Sequence, residues 1–275
     1  MNGDGTKPTA AGRDPWAHLA ALTPARIAIG RAGGSLPTRE VLAFALAHAK
    51  ARDAVHAALD TAAIARAFAA RGFETIAVES EARDRAAYLR RPDWGRRLSE
   101  AARQSLVPHA GAADLAVVVA DGLSATAVEA GAVKLVAALA PRLEACSISL
   151  GPVVIATGAR VALGDAVAAL LGARAVLVLI GERPGLSAAD SLGAYLTFDA
   201  RPGRSDGERN CVSNIRDGGL DTDIAAFKLA WLVREAFSRR LTGVMLKDES
   251  DTALPGSPEA GRLGRLPNHT DGPDR

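Results

Sequence analysis

The sequence predicts an α/β protein, in which a parallel sheet with helical crossovers follows a helical N-terminal arm, and three observations carry that prediction. From Asp114 onward, apolar runs of strand length alternate with helix-length segments, the pattern of βαβ units. Three of those runs end in polar turns: Leu115 to Ala120 enters Asp121-Gly122, Val153 to Ala156 enters Thr157-Gly158, and Ala175 to Ile180 enters Gly181-Glu182. Between Pro37 and Gly72, by contrast, the apolar residues recur at helical spacing.

The elements follow in order. Met1–Arg13 is polar and carries Gly and Pro, a composition that cannot offset its ordering entropy, and residues 249–275 are similar; both are expected to be disordered tails. Residues 14–110 form the helical N-terminal region. Its first helix lies between Pro37 and Asp60, and its second covers Ala62 to Ala70 and ends at Gly72. Residues 80–104 interleave Arg83, Arg85, Arg90 and Arg103 with Glu81, Asp84, Asp93 and Glu100, too charged to build a core. Residues 111–248 form the sheet domain. Ser124 caps the helix that runs towards Pro141, and the second crossover runs from Val161 to Leu171 and stops at Gly172. Ser187 and Asp190 have capping-box spacing for a short helix, Leu192 to Phe198 is a strand, Arg201–Gly219 is a long polar loop, and a helix covers Asp221 to Arg240. A loop of that length inside a domain is usually functional.

Composition excludes several classes. The 275 residues suffice for one large or two modest domains. With 48% hydrophobic but 4% aromatic residues, the core must be built from Ala, Val and Leu. A balance of 33 basic against 31 acidic residues gives no general attraction to nucleic acid. The pair Cys146 and Cys211 argues for a reducing, cytoplasmic setting and against a disulfide framework. No apolar segment behind a basic start marks a secretory signal. The longest apolar tract, Val161 to Ile180, contains Asp165 and Arg174, which suits a helix followed by a strand and not a membrane span.

Few motifs announce chemistry. Neither glycine-rich phosphate fingerprint occurs at a strand end, and no histidine pair has the four-residue spacing of a helical zinc site. No metal site and no catalytic acid–base set is therefore expected. Cys211 lies near Arg209 without a neighbouring His, so lining a ligand or packing outweighs a nucleophilic role. For Asp121, binding a hydroxyl or a cation and capping beside Gly122 stand as equal alternatives. Glu182 is either a turn carboxylate paired with Arg183 or Arg209, or a ligand contact; ligands of open parallel sheets bind outside the carboxyl ends of the strands, which favours the second. The Arg83 to Arg103 stretch suits a solvated face or a protein interface.

Longer blocks resemble a known family. Thr23-Pro-Ala-Arg-Ile-Ala-Ile-Gly-Arg-Ala-Gly, Asp84-Arg-Ala-Ala-Tyr-Leu-Arg-Arg-Pro-Asp, Asp114-Leu-Ala-Val-Val-Val-Ala-Asp-Gly-Leu-Ser-Ala, Ile180-Gly-Glu-Arg-Pro-Gly-Leu-Ser and Glu208-Arg-Asn-Cys-Val-Ser-Asn-Ile are similar to the small (light) subunit of ethanolamine ammonia-lyase, across residues 14–248. Two departures are that Thr157, in place of Gln, precedes Gly158, and that Ala166, in place of an acid, follows Asp165.

The resemblance implies an adenosylcobalamin-dependent lyase that converts ethanolamine to acetaldehyde and ammonia by a radical route. It further implies a hetero-oligomer in which a large catalytic subunit holds the substrate and this chain, as a Rossmann-like domain, helps bind cobalamin at the interface. Family contacts to the cofactor carry over to Val161, Glu182 and Cys211. The Asp-x-His-x-x-Gly motif that replaces the cofactor's lower base is absent, so this chain is not expected to ligate the cobalt. No nucleic acid or membrane partner is implied. The alternative reading is a non-catalytic adaptor that docks the enzyme into a bacterial microcompartment through the N-terminal tail.

Overall fold

The computed structural model describes residues 16–253 apart from 17, 20, 21, 24, 28 and 112. Its six strands are β1 (Thr75–Glu79), β2 (Leu115–Ala120), β3 (Leu150–Thr157), β4 (Ala175–Gly181), β5 (Leu192–Phe198) and β6 (Asn210–Ile215). They form one sheet in the order β1-β3-β2-β4-β5-β6, with β1, β3, β2 and β4 parallel and β5 antiparallel to both its neighbours. The protein is thus α/β with a mostly parallel sheet. The antiparallel turn at β5 follows from chain length. The Glu182–Ser191 connection is shorter than the dozen or so residues that a parallel crossover needs.

Every residue of β2 and β4 is buried because both faces of the sheet are covered. Leu115, Val117 and Val119 point to the face packed by α5 (Ala125–Ala145) and α7 (Thr222–Arg239). Their neighbours Ala116, Val118 and Ala120 point to the face packed by α4 (Glu100–Leu106) and α6 (Leu163–Leu171). Each buried Val or Leu contributes roughly 1.5–3 kcal/mol, and the small alanines allow close helix approach.

Helix ends match their signals. Ser124 Oγ accepts the Ala127 amide at the start of α5, Asp221 accepts those of Asp223 and Ile224 at α7, and Gly172 adopts the left-handed conformation that closes α6. The helices α1 (Thr38–His56), α2 (Thr61–Ala69) and α3 (Arg85–Arg90) precede them. Only Ala54 of α1 is buried, whereas Ile64 and Phe68 of α2 enter the core. No described helix is long and apolar enough to cross a membrane.

Four segments differ from the sequence pattern. β1 pairs with β3, although no strand is expected before Asp114. In the charged 80–104 stretch, Tyr88, Leu98 and Ala102 are buried, since the arginines pair outward while every few residues an apolar one turns in. No helix forms at Ser187–Asp190: Gly185 and Ala188 exchange backbone hydrogen bonds, and Ser124 Oγ donates to the Ala189 carbonyl. Within the expected Arg201–Gly219 loop, β6 pairs with the edge of β5. The expectations for residues 1–13 and for 254–275 lie outside the described residues, as does the tail on which the adaptor reading rests. At the near end of the second tail, Ser250–Ala253 form a short turn in which Lys228 contacts Asp248 and Asp251.

One buried ion pair ties β6 to the rest. Arg209, immediately before β6, donates to both carboxylate oxygens of Asp165 on α6 at 2.7 Å, with each side chain 1% exposed, and to Thr197 Oγ1 at 2.8 Å. Removing one partner of such a pair strands the other charge out of water, whereas removing both does not. Asp165→Ala should therefore destabilise the fold by about 3–5 kcal/mol, and adding Arg209→Met should restore much of the loss. Urea unfolding checks this; equal stability of the single and double variants would contradict it.

Candidate functional site at the carboxyl edge of the sheet

The turns after β2 and β4 meet at the carboxyl edge. Connections leave β2 towards β3 on one side and β4 towards β5 on the other, so the crevice between β2 and β4 is a topological switch point. A cleft of about 280 Å3 opens there. Gly122 and Leu123 bound it from β2, Arg160 and Val161 from the β3–α6 turn, and Glu182 and Arg183 from the end of β4. Tyr88 and Tyr195 close its sides. A wider groove of about 1090 Å3 lies at the opposite edge, around Phe73, Glu74 and Ser149 at the amino ends of β1 and β3, away from the end of the sheet where ligands of this architecture bind.

Val161 and Glu182 thus line one cleft, and Cys211 stands beside it. Cys211 sits on β6 opposite Tyr195 of β5. Although the residue as a whole is exposed, packing around the sulfur pushes the Cys211 thiol up, countered by the neighbouring Tyr195 hydroxyl and reinforced by the nearby Glu182 carboxylate. A raised thiol is protonated at neutral pH, which disfavours the nucleophilic alternative.

Glu182 pairs with neither Arg183 nor Arg209. Its carboxylate accepts the Ser191 hydroxyl at 2.5 Å, the Ser213 hydroxyl at 2.6 Å and the Asn214 amide at 3.2 Å, so it joins the β4 turn to both β5 and β6. Gly193 makes room for it, since a Cβ there would lie 2.9 Å from Glu182 Oε1. Asp121 takes a third course between its alternatives. It accepts the Gly158 and Ala159 amides at 2.9 and 3.1 Å and fixes the β3–α6 turn, while burial pushes its carboxyl up against those hydrogen bonds and Arg85 at 4.0 Å.

The charged N-terminal stretch supplies a wall. Arg85 and Arg160 stack on the Tyr88 ring at 4.7 and 4.6 Å, Arg85 donates to the Gly122 carbonyl, and Arg160 donates to the Tyr88 carbonyl. Tyr88, Tyr195, Arg160, Ser191 and Ser213 are the participants that sequence reasoning misses. Nothing local marks them, because each acts through a partner brought in by the sheet.

Burial pushes the Tyr88 hydroxyl up to about 12, countered by Arg160, and burial together with Cys211 and Glu182 raises Tyr195 as well. Because the fold favours the neutral phenol, the stability Tyr88 contributes is complete below pH 10.0 and is lost as pH rises towards about 12. These are the chain's two tyrosines. The folded chain at pH about 10, where a free tyrosine is half ionised, should show almost no tyrosinate absorbance. A half-maximal signal there would contradict the enclosure of both rings.

Sequence comparison supplies the remaining finding. The family model described as ethanolamine ammonia-lyase light chain (EutC) matches residues 13–247. A protein of Bradyrhizobium diazoefficiens named ethanolamine ammonia-lyase small subunit is 56% identical over 245 residues, covering 88% of this chain and 94% of that one. A protein of the same name from Xanthomonas campestris pv. campestris is 54% identical over 261 residues, covering 92% and 94%. That match spans all the strands and the three turns that bound the cleft, and the chain belongs to the ethanolamine ammonia-lyase light-chain family.

Proposed function

We propose that this chain is the small subunit of an ethanolamine ammonia-lyase and that its carboxyl-edge cleft holds one edge of adenosylcobalamin against a large catalytic subunit. The observation that carries the reading is that Val161 and Glu182, far apart in sequence, line one cleft, with Cys211 beside it on β6 opposite the lining residue Tyr195. The residue chemistry fits the cofactor. Corrin side arms end in amides, which donate to a carboxylate and accept from hydroxyls and backbone amides, and the cleft offers both kinds of partner. Its size fits only part of the cofactor. About 280 Å3 is at the lower bound even for drug-sized ligands, so a corrin would remain largely outside and need a second protein surface to exclude water.

The cofactor, when bound, supplies the radical chemistry by which ethanolamine becomes acetaldehyde and ammonia. This chain's residues bind and orient: Glu182 accepts from amides, Tyr195 faces Cys211 across the β5–β6 pair, and Asp121 fixes the turn that presents Val161. In this reading residues 111–248 are a Rossmann-like cobalamin-binding unit with β1 added at its edge, and the preceding helical arm, through the Arg83 to Arg103 wall, meets the large subunit. A cytoplasmic location suits the free thiols.

The purified chain mixed with its large subunit and adenosylcobalamin should form acetaldehyde from ethanolamine, and the chain alone should form none. Turnover by the isolated chain, or equal turnover by the large subunit without it, would overturn the subunit role. Glu182→Ala should weaken cofactor binding by the complex roughly tenfold to a hundredfold, the loss of one charge-assisted hydrogen bond of about 1.5–3 kcal/mol. Glu182→Gln, which keeps the Ser191 and Ser213 contacts, should lose less. At saturating cofactor the turnover of both variants should change little. Unchanged affinity in Glu182→Ala would mean that the carboxylate serves β6 alone.

A further inference from the structure

The charges around the cleft do not balance within the chain. Two arginines near it are paired: Arg85 lies 4.0 Å from Asp121, and Arg209 is enclosed with Asp165. Arg160 and Arg183, which line the cleft, form no ion pair with a carboxylate among the described residues. The Glu182 carboxylate that shares the cleft accepts from Ser191, Ser213 and Asn214 and forms an ion pair with neither arginine.

Arg160 is the more telling of the two. An exposed arginine such as Arg183 keeps its charge in water at little cost, but Arg160 is half-buried, with Nε fully enclosed and without a hydrogen-bond acceptor. Its guanidinium is held in place by the Tyr88 ring at 4.6 Å and by the Tyr88 carbonyl at 3.1 Å. Neither contact neutralises it. Enclosing a cation without its counter-charge is unfavourable, and a bound anion is the remedy an arginine is shaped for.

We infer that Arg160 and Arg183 form an anion subsite that receives a phosphodiester group of the bound ligand. This rests on the proposed cofactor role, and in adenosylcobalamin the group is the phosphate that links the corrin to its nucleotide arm. The pair then acts as a specificity element. It favours the complete cofactor over a corrin that ends before the phosphate, while Glu182 recognises the amide side arms that both share.

The test is cofactor binding, by equilibrium dialysis, to the complex of this chain with its large subunit, using adenosylcobalamin and adenosylcobinamide, which lacks the phosphate and the nucleotide. Wild type should prefer adenosylcobalamin. R160M and R183M should each lose about tenfold or more in affinity for adenosylcobalamin, and should bind adenosylcobinamide as wild type does. R160K, which keeps the charge, should recover part of the loss, and the wild-type preference should shrink with added salt. R183M guards against a folding artefact, because Arg183 is exposed. Wild-type affinity in both Met variants, or equal loss for the two compounds, would overturn the subsite. Failure of the wild-type complex to bind either compound would overturn the cofactor role itself, and the subsite with it.

Discussion

The backbone-to-backbone contact between the turns after β2 and β4 is the constraint on which the site depends. The Leu123 amide donates to the Gly181 carbonyl at 2.8 Å, and the two turns are so close that a Cβ on Gly122 would lie 2.3 Å from that carbonyl oxygen. A Cβ on Gly181 would lie 2.0 Å from the Ser124 carbonyl oxygen. No side chain fits in either place. Because neither residue carries a side chain, the two turns close on each other, and Glu182 leaves the end of β4 at the cleft that their outer residues line. Gly122 also adopts a positive φ, so a substituted residue there would be strained as well as crowded.

Around that opening, polar contacts do what a larger core would otherwise do. β6 is a polar edge strand with Ser213 and Asn214 exposed, and hydrophobic burial alone would hold it weakly. Two carboxylates hold it instead: Asp165 grips Arg209 at its start, and Glu182 takes Ser213 and Asn214 near its end. Cys211 lies between the two anchors. The same carboxylate that is proposed to meet the cofactor also sets the position of the strand behind it.

Much of the framework was legible because it follows from local pattern. β2 and β4 are uninterrupted apolar runs buried on both faces, and Ser124, Asp221 and Gly172 terminate helices where their chemistry says they should. β1 and β6 were not legible, for a shared reason. They are short edge strands, Thr75-Ile-Ala-Val-Glu79 and Asn210-Cys-Val-Ser-Asn-Ile215, whose identity comes from the neighbour they pair with. The capping-box spacing at Ser187 misled because Ser124 and Gly185 claimed the local hydrogen bonds first. At the site, the pattern alone placed Glu182 at the ligand edge, and Val161 and Cys211 entered through family resemblance. Arg160 and Tyr88 could not be foreseen, since their contact spans the β1 side of the sheet and the β3–α6 turn.

The central claim is that the carboxyl-edge crevice between β2 and β4 is where the cofactor meets this chain. Amide hydrogen exchange of the two-subunit complex, with and without adenosylcobalamin, tests it most directly. The account predicts added protection in three separated segments, Gly158 to Ala162, Gly181 to Gly185 and Cys211 to Asn214, with the amino-end groove around Phe73 and Ser149 unchanged. Protection confined to that groove, or none in the three turns, would contradict it.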